Sequence, residues 1–240
     1  MKINQRVVII SLLVLPAFLY LMFVYGLKDV FFETLEYIGP KSVVENVADD
    51  GEKSYDTAYY KIPNFSFTNF NGRTITQDDL KGKIYVASFF FASCPTICPK
   101  MNFHLTEIQK RFAAYDDFYL LSHTVDPERD SVQALDEYVK NNGFDTKRWY
   151  FVTGERDKLY AAAQSYFLSA YEDDLSEGGF LHSQNAVLVD WEGHIRSRVD
   201  EMGNPVAAYD LLEVTQLKDL EEDIKVLKAE YEKYKHNLEK

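Results

Sequence analysis

The stretch IYVASFFFASCPTICPKM, residues 84–101, decides the fold and contains both cysteines of the chain. Residues 84–91 form a continuous apolar run, which is typical of a β-strand buried on both faces of a sheet. Cys94 and Cys98 follow this run, and Pro99 fits the first position of a helix. Cys98 is then expected at the helix N-cap or beside it, where free N–H groups and the helix dipole favour a thiolate. The stretch therefore predicts a strand, a turn that carries the two cysteines, and a helix.

Strand and helix patterns continue on both sides of this stretch. Asn71-Gly72 is typical of a hairpin turn, and a second hairpin is expected to close over Trp191-Glu192-Gly193. Alternation of strands and helices followed by a hairpin predicts an α/β fold with a mixed sheet covered by helices on both faces. The remaining elements are predicted as strands at 65–70, 118–125, 149–152, 186–190 and 194–199, and as helices at 99–112, 131–142, 156–167 and from about Pro205.

Residues 7–27 are twenty-one residues without a charge. As a helix they would extend roughly 31 Å, which is enough to span a bilayer. The alternative is a cleaved signal peptide, but the apolar run is long and continues into Lys28-Asp29 without a small-residue cleavage site. Lys2 and Arg6 precede the run, so the positive-inside rule predicts a single-pass protein whose soluble domain lies outside the cytoplasm, as in a periplasm.

Composition limits the classes of protein that remain. A chain of 240 residues with 46% hydrophobic residues has enough apolar material for one folded domain. The formal net charge of −12 disfavours nucleic-acid binding, and two cysteines exclude both a disulfide scaffold and a four-cysteine metal site. We therefore expect a membrane anchor at 1–28, a tether at 29–58, the folded domain at 59–216 and a helical extension at 217–240.

Apolar residues in the extension follow alternating spacings of three and four. This pattern is a three-heptad seam and predicts a long amphipathic helix. Such a helix could form a coiled coil, giving a homodimer through 217–240, or fold back on its own domain. The seam residues are Leu217, Leu220, Ile224, Leu227, Tyr231, Tyr234 and Leu238.

The spacing of Cys94 and Cys98 favours a shared metal ion over the redox pairs that usually have two intervening residues. Two thiolates outside the cytoplasm prefer a soft ion, and Cu(I) is the softest common one. A third donor is then needed. His182 follows an acidic loop with two glycines, Glu172 to Gly179, from which it could swing onto the sulfurs. A single histidine is more often structural, so position alone leaves His182 undecided.

Other polar residues near the predicted site are interpreted as structural. His123 lies inside an apolar strand pattern, and Met101 and His104 are left out of the site. The segment from Asp126 to Asp130 could form a docking loop at the carboxyl end of a strand. The pattern favours a simpler role, in which Asp130 caps the following helix with Gln133 at the third position.

Three motifs together resemble the SCO/SenC family, which comprises membrane-anchored copper chaperones for cytochrome c oxidase assembly. They are Cys94-Pro95-Thr96-Ile97-Cys98-Pro99, Val125-Asp126-Pro127-Glu128-Arg129-Asp130, and His182-Ser183 ahead of Val187-Leu188-Val189-Asp190 and Gly193. The resemblance covers about residues 62–215 and implies a thioredoxin-like fold. It also implies that Cys94, Cys98 and His182 bind one copper ion per chain. Thr96 stands where many members have aspartate.

The resemblance permits two functions. The first is a metallochaperone that passes copper to the binuclear site in the copper-bearing subunit of cytochrome c oxidase, with no enzymatic turnover. The second is a membrane-tethered thiol-disulfide oxidoreductase in which Cys94 and Cys98 are the catalytic redox pair.

Overall fold

The computed structural model describes residues 14–21, 34–47, 52–172 and 180–238. Residues 14–21 form an exposed helix inside the segment predicted to span a membrane. The other residues of that segment, together with Lys2 and Arg6, lie outside the described residues. Within the described part of the chain, no helix is both long and apolar enough to cross a bilayer. The membrane anchor therefore stays a prediction.

The residues from Leu35 onward form one compact unit built on a mixed sheet. Its strand order is β1-β12-β11-β6-β7-β8-β4-β5, and β13 also pairs with β11. The strands are β1 (Glu36–Tyr37), β2 (Lys41–Val47), β3 (Lys53–Tyr59), β4 (Ser66–Asn69), β5 (Thr74–Thr76), β6 (Ile84–Phe90), β7 (Phe118–Thr124), β8 (Trp149–Thr153), β9 (Ala170–Glu172), β10 (Phe180–His182), β11 (Asn185–Val189), β12 (Ile195–Ser197) and β13 (Tyr209–Asp210). The helices are α1 (residues 14–21), α2 (Gln77–Leu80), α3 (Ile97–Arg111), α4 (Val132–Asn142), α5 (Arg156–Ser165) and α6 (Val214–Leu238).

The predicted central strand is confirmed. Every residue of β6 is buried, which requires cover on both faces of the sheet. β6 runs parallel to β7, and β7 runs parallel to β8, whereas the other pairings in the sheet are antiparallel. Because β6 and β7 are parallel, the loops that follow them meet at the same edge of the sheet.

Both predicted hairpin turns are present. β4 pairs with β5 across Asn71-Gly72, and Gly72 has a φ of 79°, a conformation that glycine adopts without strain. β11 pairs with β12 across Trp191-Glu192-Gly193, where Gly193 has a φ of 91°. These turns were predictable because local sequence determines them.

Strands begin before Tyr59, the residue at which the sequence suggested that the domain starts. β1 pairs with β12 at the edge of the main sheet, and β2 pairs with β3 in a separate two-stranded sheet. Much of the segment expected to be a tether is therefore regular structure.

The helix expected from about Pro205 is wrong, because α6 begins at Val214. Ala207 has a φ of 64°, and Tyr209 pairs with Ala186 in the sheet, so this segment cannot be helical. The Tyr209 hydroxyl also donates to the buried carboxylate of Asp223 on α6. Long-range contacts thus override the local pattern.

The seam of α6 packs against its own domain. Leu217, Leu220, Ile224, Leu227 and Tyr231 are all buried in the core within the same chain, whereas Leu238 is 69% exposed. Of the two interpretations of the heptad pattern, the structure shows the helix folded back. A homodimer through 217–240 would have to use the other faces of this helix or its exposed end.

A buried arginine joins α6 to the sheet. Arg196 is only 1% exposed and pairs with Asp190 at 3.1 Å and with Glu230 of α6 at 2.6 Å. It also donates to the Leu35 carbonyl at 2.7 Å, while the Leu35 amide donates to Glu230 at 2.9 Å. The Glu230 carboxylate of α6 therefore contacts both Leu35, at the start of the compact unit, and Arg196 of β12.

A second arginine, which is partly exposed and directly follows β12, repeats this arrangement. Arg198 pairs with Asp219, Glu222 and Asp223 of α6, and these carboxylates hold the pKa of its guanidinium above the usual value although burial acts in the opposite direction. Charge-assisted hydrogen bonds of this kind are the strong ones. α6 is therefore an integral part of the domain.

Candidate metal centre

The two cysteines lie on the loop that leads from β6 into α3. Cys94 is 8% exposed and Cys98 is 1% exposed. The backbone N–H of Cys98 donates to Cys94 Sγ at 3.4 Å. The first N–H groups of a helix have no partner within the helix. Sulfur therefore fills the position that a capping oxygen usually takes, and both thiols lie at the mouth of α3.

The helix begins earlier than the sequence suggested. Thr96 is the N-cap and Ile97 the first helical residue, so Cys98 is second and Pro99 third. A proline within the first turn is tolerated because its missing N–H would have no helical partner. The shift of register places the Cys98 side chain inside the protein and not at its rim.

The surroundings of Cys98 oppose the thiolate that the helix end was expected to favour. The hydrogen bond with Cys94 and the burial of the sulfur both raise the pKa of the Cys98 thiol. The nearby carboxyl of Asp130 acts in the same direction. The Cys98 thiol is therefore harder to ionise in these surroundings than a free cysteine.

Asp130 positions the cysteine loop, a role that the sequence did not suggest. Its carboxylate accepts the Ala92 N–H at 3.0 Å and the Thr124 hydroxyl, so it links the loop after β6 to the end of β7. The predicted N-cap at Asp130 is wrong, since Ser131 caps α4 by accepting the Ala134 N–H at 3.2 Å. Burial raises the pKa of Asp130.

A second support lies beneath the start of α3. Asn102 donates to the Tyr138 hydroxyl of α4 at 2.7 Å, and the Tyr138 ring stacks on Phe90 at 5.6 Å. Burial raises the pKa of Tyr138, and the nearby sulfurs act in the same direction. Asn102 and Tyr138 are 36 residues apart, so no short motif could have revealed their contact.

His182 is the last residue of β10, which pairs with β9 so that His182 faces Ala170 in the register. The loop 173–179 and the imidazole of His182 lie outside what the structure describes. Whether this imidazole lies within reach of Cys94 and Cys98 therefore stays a prediction. Among the side chains that are described, no group of three metal-binding residues occurs.

Two other histidines, His123 and His194, have structural surroundings. His123 is fully buried, stacks on Phe89 at 4.7 Å and contacts the Ser88 carbonyl at 3.3 Å through Nδ1. His194 Nδ1 lies 2.7 Å from the Tyr60 carbonyl. Of the two positions that the strand pattern allowed for His123, core or edge, the structure shows the core.

Comparison with known proteins identifies the family. The profile of the SCO1/SenC family matches residues 53–215, more than half of the chain. The SCO1 protein homolog of Bacillus subtilis is 30% identical over 147 residues, which are 60% of this chain and 76% of that protein. Yeast SCO2 is 29% identical over 160 residues, or 64% of this chain, and the match covers only about half, 51%, of that longer protein.

Solved structures agree with this match. A SCO1/SenC family lipoprotein from Bacillus anthracis superposes with a TM-score of 0.61 at 26% identity, covering 70% of this chain and 95% of that one. BsSco, described as having a disulfide switch and as a cytochrome c oxidase assembly protein, gives 0.59 at 28% identity, with 70% and 93% covered. Yeast Sco1 with copper bound gives 0.52 at 26%, with 68% and 87% covered.

Proposed function

Since the chain belongs to the SCO1/SenC family, we propose that it is a copper chaperone that serves the assembly of cytochrome c oxidase. It takes one copper ion on Cys94, Cys98 and His182 and passes it to the binuclear site of the copper-bearing oxidase subunit. The observation that carries this proposal is the pairing of two buried sulfurs at the mouth of α3, with the Cys98 amide 3.4 Å from Cys94 Sγ. Support comes from the copper-bound structure of yeast Sco1.

The donor set suits a soft monovalent ion. Cu(I) is well satisfied by two thiolates and an imidazole, whereas a structural zinc site needs four ligands. Binding releases the thiol protons, because sulfur coordinates a metal as thiolate. The positive ion thereby offsets the two effects that raise the pKa of Cys98, namely the thiol hydrogen bond and burial.

Transfer to the oxidase subunit requires that one ligand leave before the others. The strand β10 that carries His182 is short and pairs with β9 alone among the described strands. The sulfurs, in contrast, are fixed to the core by α3. In this proposal His182 is the ligand that exchanges and the cysteines hold the ion until the acceptor's ligands replace them.

The first test measures Cu(I) binding to the full chain in detergent micelles against a competing chelator. We expect one ion per chain, a loss of more than about 100-fold in affinity for Cys94→Ser or Cys98→Ser, and a loss of about 10- to 100-fold for His182→Ala. His236→Ala, at an exposed position near the end of α6, is the matched control and should bind as the wild type does. Unchanged affinity in both cysteine variants would refute the site, and unchanged affinity in His182→Ala would remove its third ligand.

A thiol-disulfide oxidoreductase is the second candidate, favoured by the adjacency of the two thiols and by the disulfide switch reported for BsSco. One sulfur would attack a client disulfide, and the other would release the client dithiol by closing a Cys94–Cys98 disulfide, moving two electrons and two protons to the client.

A disulfide-reduction assay separates the two candidates. The oxidoreductase requires that His182→Ala keep full activity towards a protein disulfide while either cysteine variant loses it. The chaperone requires that the same histidine variant fail in copper transfer. The cysteine variants alone cannot distinguish them.

We further propose that residues 7–27 anchor the chain in a membrane with the domain outside the cytoplasm. The support is the twenty-one-residue uncharged run preceded by Lys2 and Arg6. Protease should digest the domain when it is added to cells whose cell wall and any outer membrane have been removed and whose cytoplasmic membrane is intact. Protection of the domain from protease would place it on the cytoplasmic side.

A further inference from the structure

The strands β2 and β3 form a two-stranded sheet separate from the main sheet, and both of its faces are exposed. Val43 is 72% exposed and Tyr55 is 63% exposed, and all residues of 41–46 and 52–57 lie at the surface. This sheet contacts the rest of the domain at its base, where Tyr59 stacks on Tyr37 at 4.0 Å. A sheet of two strands is marginally stable in water without further strands or a packed face. The two strands therefore have the form of half of a larger sheet.

The outer edge of β2 carries no other strand in the described part of the chain, since β2 pairs with β3 alone. An unpaired edge presents backbone N–H and C=O groups that pair readily with another strand, and natural proteins protect most such edges with proline, a bulge or charge. β2 contains no proline, and its seven residues pair with β3 without a bulge. Its two charges, those of Lys41 and Glu45, cancel, although the whole chain has a formal net charge of −12. Electrostatic repulsion between two copies is therefore weak at this edge.

The charges of β2 are arranged so that the strand matches a second copy of itself. When two identical strands pair antiparallel about a two-fold axis, opposite residues lie on the same face of the sheet, and the sum of their residue numbers is constant and even. A sum of 86 places Lys41 opposite the second copy's Glu45 at both ends of the pairing, and Val43 opposite the second copy's Val43. These three residues share one face of the sheet, because side chains alternate along a strand. The match therefore combines two opposite-charge pairs with a central apolar pair.

The outer edge of β3 offers no such match. Its charged residues, Lys53 and Asp56, are three positions apart, so their side chains lie on opposite faces of the sheet. A two-fold pairing cannot bring them opposite each other. Charge complementarity between two copies therefore favours β2 over β3 as the contact edge.

We propose that β2 pairs with β2 of a second copy of this chain, so that two hairpins form one four-stranded sheet in a homodimer. Within one chain Lys41 lies 3.9 Å from Glu36 and Glu45 lies 2.5 Å from Lys53, and exposed pairs of this kind contribute little and can be exchanged. The family profile begins at residue 53, so β2 lies outside the matched region. The contact involves no residue of the cysteine loop, and the proposal does not depend on the copper function.

The first test measures dimerisation of the full chain by sedimentation equilibrium in density-matched detergent micelles. We expect the wild type to form dimers. Lys41→Glu and Glu45→Lys each place like charges opposite each other twice, and each should weaken the dimer about tenfold. An equimolar mixture of the two variants again places opposite charges at both pairs and should dimerise as the wild type does. Lys61→Glu, which makes the same charge change at an exposed position outside the hairpin, is the control and should change nothing.

Three outcomes of this measurement would overturn the proposal. A wild type that stays monomeric would leave the β2 edge to a different partner. Unchanged dimerisation in both charge variants would place the contact elsewhere on the chain. A mixture that dimerises no better than its components would show that the two residues do not face each other.

Disulfide trapping tests the register. The variant Val43→Cys is made in a chain that also carries Cys94→Ser and Cys98→Ser, and the oxidant diamide takes the two thiol hydrogens as the disulfide between the copies forms. Thr57→Cys is the matched control, because Thr57 is exposed on the same face and in register with Val43 but lies on β3. The two copies of Thr57 would be separated by three strand spacings, roughly 14 Å, which is too far for a disulfide.

We expect disulfide-linked dimers from Val43→Cys at least about tenfold faster than from Thr57→Cys. Equal rates at the two positions would overturn the proposed register. If the chain without its native cysteines does not fold, the charge variants still decide, since they keep both cysteines and change exposed residues only.

Discussion

Two regions of the molecule are stabilised in different ways. One is the interface between α6 and the sheet, and the other is the loop that carries the cysteines. At the α6 interface, Arg196 and Arg198 are surrounded by carboxylates that satisfy their guanidinium groups from several sides. At the cysteine loop, the described contacts include the buried carboxylate of Asp130, a sulfur that accepts a backbone N–H, and the hydrogen bond from Asn102 to Tyr138. Ion pairs hold α6 to the sheet, whereas hydrogen bonds hold the loop that carries the cysteines. A change at the one carboxylate of Asp130 should therefore disturb the cysteine loop, whereas α6 is held by carboxylates on several of its turns.

The strongest test of this contrast is Arg196→Ala. Removing the guanidinium leaves Asp190 and Glu230 facing each other without a cation, and breaking a buried ion pair in this way costs about 3–5 kcal/mol. The free energy of unfolding, measured by denaturant titration, should fall by that amount. Lys110→Ala, which breaks an exposed pair with Glu107, should cost less than about 1 kcal/mol. Equal losses of unfolding free energy in the two variants would mean that the ion pairs at the α6 interface contribute no more to stability than an exposed surface pair.

A second test concerns the stability of the domain at acidic pH. β7, which runs parallel to the strand before the cysteine loop, carries the buried imidazole of His123. Burial lowers the pKa of His123 from 6.5 to about 4. As the pH falls, the unfolded chain therefore protonates His123 at a higher pH than the folded chain does. The contribution of neutral His123 to the free energy of unfolding is fully present above pH 6.5 and is lost as the pH falls towards about 4. The loss is about 3 kcal/mol at 1.36 kcal/mol per pKa unit.

Denaturant titrations of the wild type and of His123→Phe between neutral and acidic pH check this expectation. The variant keeps an aromatic ring against Phe89 and lacks the titrating group, so its stability should fall less over the same range. Parallel curves for the two proteins would show that another group causes the acid sensitivity.

A smaller effect is expected at Asp130. Asp130→Ala leaves the Ala92 N–H and the Thr124 hydroxyl without their acceptor and should cost about 1–3 kcal/mol of stability. Because the same change loosens the cysteine loop, Cu(I) affinity should fall as well. Both quantities are measured on one preparation, by denaturant titration and by chelator competition.

Ser131→Ala is the matched control for that measurement. It removes the true cap of α4, at about 1 kcal/mol, without touching the loop after β6. Its Cu(I) affinity should equal that of the wild type. A fall of affinity in both variants would indicate that general loss of stability, and not the position of the loop, weakens copper binding.

Local sequence was sufficient for the features that local physics determines. The apolar run at 84–91 gave a strand buried on both faces, and Asn71-Gly72 gave a turn whose glycine has a positive φ. The three family motifs were sufficient for the thioredoxin-like sheet and for the copper function that the family implies. Each of these signals lies within a few consecutive residues.

Features that depend on distant partners were missed. The sequence could not reveal that Asp130 turns back to the Ala92 amide, since its spacing to Gln133 matches a capping box equally well. The segment after Pro205 has a helical composition, and only its pairing with β11 excludes a helix. The heptads of α6 fit both a coiled coil and a folded-back helix, because the same apolar seam serves either partner.

The hydrogen bond between the Leu35 amide and Glu230 also has a consequence for folding during synthesis. The two residues are separated by 195 positions in the chain. At ribosomal speeds of about 5–20 residues per second, Leu35 waits roughly 10–40 s for its carboxylate to be synthesised. During that interval the hydrogen bond between Leu35, next to β1, and Glu230 cannot form. In a nascent chain stalled before α6, this edge of the sheet would stay accessible to proteases and chaperones.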